Sequence, residues 1–165
     1  MAVNIPDFAA LLAPYIGTVP AEAVPAFLAR LERTAAQRYR QWAEDFPEHA
    51  PGLLECAARE DLIADEVEGI YPATEAAQVK AMDEALMPAR DTYYAVFAQL
   101  SPVEQLTVQA NAERQGAAAW RNMLPQEQDA AHRAVLERCA RHEEASADYL
   151  DQLLPQLSRD QAHQA

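Results

Sequence analysis

One stretch of this chain occurs twice, and the repeat limits the possible folds more than any other feature does. Cys56-Ala-Ala-Arg-Glu60-Asp-Leu-Ile-Ala-Asp-Glu-Val-Glu-Gly-Ile-Tyr-Pro72 lies over Cys139-Ala-Arg-His-Glu143-Glu-Ala-Ser-Ala-Asp-Tyr-Leu-Asp-Gln-Leu-Leu-Pro155, with Cys, Ala, Glu, Ala, Asp and Pro repeated in place. Upstream of each copy stands a second match, Glu32-Arg33…Tyr39-Arg40 against Glu113-Arg114…Trp120-Arg121. The offset is 81 for the upstream pair and 83 for the downstream pair. Each unit is therefore two segments with a turn between them, and the chain reads as a duplicated helical hairpin.

Half of the 165 residues are apolar and only four are glycine, a balance that favours helix and permits one domain with a proper core. A formal charge of −13 argues against nucleic acid or an anionic membrane as partner. No apolar run approaches the roughly 20 residues of a bilayer span. The first residues lack the basic region of a signal peptide, so a cytoplasmic protein with two free cysteines is expected.

Along the chain, Asn4-Ile-Pro6-Asp7 starts a short helix over about 5–15, closed by Gly17 and Pro20. Pro25 opens the first hairpin, whose helices run to Asp45 and, after Phe46-Pro47, over about 50–70. Residues 73–100 form a long crossover in which Thr74 caps a helix and Pro88 kinks or splits it. Its Tyr93, Tyr94, Phe97 and Leu100 form an apolar patch that would suit a homodimer. Ser101-Pro102-Val103-Glu104 is a capping box with proline at the first helical position. It opens the second hairpin, about 102–154, which turns at Leu124-Pro125 and leaves a frayed polar tail.

Steps of three and four residues trace one apolar seam in each main helix. Every seam carries a single glutamate: Glu32 between Leu28 and Ala35, Glu60 between Cys56 and Ile63, Glu113 between Ala110 and Ala117, Glu143 between Cys139 and Ala147. The midpoint of Glu32 and Glu60 is residue 46, at the predicted turn, so the two should lie level. The midpoint of Glu113 and Glu143 is residue 128, three past Pro125. Four carboxylates therefore converge on one layer of the core. They cannot all stay ionised there unaided, because burial and like charge both oppose it. Divalent metals, nearby arginines, or an outward turn of the side chains would resolve the conflict. Carboxylate-rich sites favour hard ions such as manganese and iron.

The pattern resembles the ferritin-like superfamily, including its di-iron and di-manganese carboxylate proteins, over about residues 25–154. That family gives a Glu on one helix and Glu-x-x-His on its partner, twice over. The resemblance implies an all-α, ferritin-like four-helix bundle of two duplicated hairpins with accessory N-terminal and crossover helices. It also implies that Glu32, Glu60, Glu113 and Glu143 hold iron or manganese, in an oxidoreductase acting with oxygen or peroxide. The two histidines of the family are missing: Ile63 and Ser146 stand in their places. His142 is the nearest substitute ligand, and its repeat partner is Arg59. The alternative is a metal-free ferritin-like binding or scaffolding protein, its core glutamates neutralised by Arg33, Arg59, Arg114, Arg138 and Arg141. Cys56 and Cys139, one turn before a seam glutamate, read as small buried hydrophobes rather than ligands. Tyr39 and Trp120 read as core.

Overall fold

The computed structural model describes residues 2–165, and six α-helices occupy most of them. They are α1 (Phe8–Ile16), α2 (Val24–Asp45), α3 (Ala50–Ile70), α4 (Ala76–Ala95), α5 (Pro102–Asn122) and α6 (Ala130–Gln164). No strand occurs among the described residues, and no helix there is long and apolar enough to cross a membrane.

Local signals set most boundaries. Asp7 caps α1 by accepting from the Ala10 N–H. Ser101 and Glu104 exchange both bonds of the capping box at α5. Asp129 accepts from Ala131 and His132 to start α6. Each hairpin turns through a short 3-10 segment that includes a proline, Pro47–His49 in one and Leu124–Gln126 in the other.

Ion pairs give the helix directions. Arg33 reaches Glu68 and Arg40 reaches Asp61, so α2 and α3 are antiparallel. Arg114–Asp151 and Arg121–Glu144 set α5 against α6 in the same way. The hairpins meet along α3 and α6, where Arg138 pairs with Glu66 and Arg59 donates to Ser146. Near the start of α3 the Tyr149 ring fills the space a Cβ at Gly52 would need, so glycine permits that close approach. On the opposite side α2 and α5 stand further apart, bridged by Arg38, Tyr39 and Trp42, with α4 packed on α2 and α1 on α4.

Four expectations are corrected. The helix after Glu143 does not end before Pro155 but runs through it to Gln164. One proline costs a single backbone donor, and Leu157 beyond it is buried against the core cluster that holds Leu150 and Leu153. Pro88 likewise lies inside a continuous α4, whose Ala85, Ala89 and Tyr93 are buried on either side of it. Its N-cap is Glu75 rather than Thr74. The crossover patch is not a free surface either: Phe97 and Tyr93 are 1% and 7% exposed within this chain. They stack edge-on with Phe8 and Trp42, whereas Tyr94 and Leu100 are half-buried.

The core has two apolar clusters along the four main helices. One holds Tyr39, Trp42, Leu53, Cys56, Leu106, Leu150 and Leu153. The other holds Ala29, Ile63, Val67, Trp120, Leu136 and Cys139. On every one of the four helices the seam glutamate falls between its members of the two clusters.

Candidate metal centre

Glu32, Glu60 and Glu143 each offer a carboxylate oxygen within 4.8 Å of the others. Glu113 lines the same pocket end as these three. Glu60, Glu113 and Glu143 are 1–2% exposed. Glu32 is less enclosed, lying where a pocket reaches the cluster. All four glutamates expected from the seam thus come together.

Their surroundings are unequal. Glu113 accepts from the Tyr39 hydroxyl at 2.7 Å and from the Gln109 amide at 2.9 Å. Gln109 is held in turn by the Tyr93 hydroxyl at 2.5 Å. Glu143 accepts from the Trp120 indole N–H at 3.2 Å. Neither oxygen of Glu60 has a hydrogen-bond partner, and one oxygen of Glu113 has none. Such orphaned oxygens are rare in a folded core and call for a partner.

Burial is the first cause that raises the pKa of Glu32, Glu60 and Glu143. The neighbouring carboxylates push Glu60 and Glu143 further up, whereas at Glu32 the adjacent Glu60 carboxyl partly offsets the effect of burial. Burial also raises the Tyr39 hydroxyl, with Glu113 adding to it, so Tyr39 remains a donor.

The arginines do not neutralise this layer. Arg33 pairs with Asp61, Asp65 and Glu68, Arg114 with Asp151, and Arg138 with Glu66. Arg59 spends its guanidinium on the Ser146 hydroxyl and the Cys56 sulfur. Arg141 is exposed, and among the described residues no ion pair reaches a seam glutamate. The reason is geometric: the arginines sit on the flanks of the helices, beside the outer-face acids. The arginine-neutralised arrangement is therefore not the one adopted.

His142 is not in the cluster. It is half-buried beside Glu66, Arg59 and Arg138, and its pKa is lowered chiefly by burial. Three residues after each repeat glutamate, Ile63 is core and Ser146 is taken by Arg59. Burial lifts the thiols of Cys56 to about 11 and Cys139 to about 12. They remain protonated and pack in the core, as expected.

Two features escaped the sequence reading. Gly116 faces Glu143: a Cβ there would lie 2.8 Å from its carboxyl carbon. The glycine in Arg-Gln-Gly against alanine in Arg-Thr-Ala35 was the available signal. Gln109 looked like an ordinary polar residue, and only the fold turns it inward.

The residues present fit a hard divalent cation. The donors are all carboxylate oxygens, three of which lack any partner, and no basic side chain competes for them. Compared with known proteins, the chain matches no family model, no curated sequence and no solved structure.

Proposed function

We propose that this chain is a ferritin-like protein in which Glu32, Glu60, Glu113 and Glu143 hold a pair of divalent metal ions, iron or manganese, for oxidoreductase chemistry with oxygen or peroxide. The observation that carries the reading is the unpartnered state of Glu60, 1% exposed with both oxygens lacking a donor. A buried carboxylate in that state is stabilised only by a proton or a cation. Glu60 shares its level with three further carboxylates, and among the described residues no ion pair reaches any of the four.

A redox-active metal here would supply the electrons for reducing oxygen or peroxide. The protein's own groups divide the remaining tasks. Tyr39 and Gln109 orient Glu113, and Trp120 orients Glu143, so these carboxylates are fixed in advance. Glu60 has no such restraint and is free to turn toward a cation. The two apolar clusters exclude water above and below the layer. The Tyr39 hydroxyl, which touches Glu113, is a proton-bearing group placed at the layer.

Metal analysis of the untagged protein tests this reading, together with Glu60→Ala and Glu143→Ala. About two iron or manganese ions per chain, lost in both variants, is the expected result. Fewer than a tenth of that amount after refolding with either ion in excess would leave the layer held by protons and remove the oxidoreductase assignment.

A further inference from the structure

A pocket of about 340 Å³ runs from the surface to the carboxylate layer, between α1, α2 and α5. It occupies the side of the molecule where α2 and α5 stand apart. Its α2 wall extends from Val24 to Ala35, twelve residues or about 16 Å of helix. Leu12 and Ile16 of α1 face Leu28 and Leu31 of α2, and Ala112 and Ala119 of α5 keep the third wall low. The exposed Ala119 lies toward the mouth, and Glu60 and Glu113 lie at the inner end.

The polar side chains along this pocket are already committed. Thr34 donates to the Leu31 carbonyl at 2.7 Å. Gln115 accepts from the Phe8 N–H and donates to the Pro6 carbonyl, both at 2.9 Å, clamping the start of α1 to α5. Gln109 is used by Tyr93 and Glu113. Among the described residues no lysine, arginine or histidine lines the pocket. The only polar atoms left for a ligand are the carboxylates at its inner end.

We propose that this pocket binds an uncharged alkyl chain, with the chain along α2 and its inner end against the glutamate layer. The long α2 wall favours an extended chain over a compact ring system. The absence of a basic residue disfavours an anionic head group beside four acids. Apolar walls without free donors offer a sugar or nucleotide nothing in exchange for its hydration. The alkyl chain becomes a substrate only through the metal chemistry proposed above, whereas its binding does not depend on metal.

The test is calorimetric titration of the full chain with 1-decanol, decanoate and decylamine, with manganese present and again with a chelator. Saturable binding of one decanol per chain is expected in both conditions, with decanoate at least tenfold weaker. Ala112→Leu, which adds bulk to the wall, should weaken decanol tenfold or more. Leu28→Ala, which widens the wall, should shift the best ligand in an alkanol series to a longer chain. Circular dichroism checks that each variant is folded. If Ala112→Leu does not fold, the alkanol series on Leu28→Ala decides alone. No saturable decanol binding, an unchanged alkanol profile in Leu28→Ala, or decylamine binding more tightly than decanol would each overturn the proposal. Failure to bind manganese while decanol still saturates would remove the metal reading and leave the pocket standing.

Discussion

The two hairpins descend from one pattern, yet they treat their glutamates differently. In the first, Glu60 has no donor on either oxygen. In the second, Glu113 has two donors and Glu143 has one. The repeat partner of Gly116 is Ala35, and at Gly116 a Cβ would lie 2.8 Å from the Glu143 carboxyl carbon. The repeat partner of Arg59 is His142, and Arg59 reaches across to satisfy Ser146, the residue where a third-position histidine would stand. Duplication thus supplies the positions of the four acids. Later divergence on each helix decides which acids are held by the protein and which one waits for something else.

The comparison breaks most visibly if Glu60 and Glu113 are replaced by leucine. In chelator-treated protein at pH 7, Glu113→Leu should destabilise by about 1–3 kcal/mol for each donor left unpaired, those of Tyr39 and Gln109. Glu60→Leu should stabilise by about 1–3 kcal/mol, since it removes a buried acid without a partner. Urea unfolding measures both, and equal signs for the two variants would refute the asymmetry.

A pH series sharpens the same point. Glu60 and Glu143 are raised above their ordinary value of 4.5, first by burial and then by each other's charge network. The native state therefore holds more protons than the unfolded chain above that value, so stability falls as pH rises. Their contribution is fully present below about pH 4.5 and declines as pH rises above it in metal-free protein. Glu60→Leu should flatten that slope, and a saturating divalent ion should restore stability by about 3 kcal/mol at a hundredfold excess over Kd. Melting in acetate through Tris buffers, with and without manganese, gives both numbers.

A smaller effect separates the two equivalent small residues. Gly116→Ala drives a methyl group against the Glu143 carboxyl and should cost about 1–3 kcal/mol of stability and weaken metal binding. Ala35→Gly removes a methyl group from a helix interior and should cost about 0.5–1 kcal/mol with metal binding retained. Thermal melts and metal titration of the pair separate crowding at the site from helix propensity. The smallest expected change is at the surface: Arg114→Ala breaks the half-exposed pair with Asp151 and should cost less than about 1 kcal/mol. A double-mutant cycle with Asp151→Ala gives that value.

Much of the architecture was legible in the residues. The hairpin helices were expected at 25–45 and 50–70 and stand at Val24–Asp45 and Ala50–Ile70. Helical periodicity, prolines and caps are local signals, and they act within a turn or two. The level placement of four glutamates was also legible, because antiparallel hairpins convert sequence distance from the turn into height. Fully buried Phe27 was not, because it faces Met82 and Ala89 of α4, a neighbour absent from the seam argument. His142 was misplaced for a similar reason: a spacing of one residue from Glu143 turns it about 100° away from the core.

The sequence by itself determined that the chain folds as two helical hairpins and that each main helix turns one acid inward. Both follow from periodicities written along a single helix. Tertiary structure alone decided which acids receive donors, where the arginines find their partners, and that α2 and α5 stand apart to leave a pocket. Those outcomes depend on distances between helices far apart in the chain, and no local pattern encodes them.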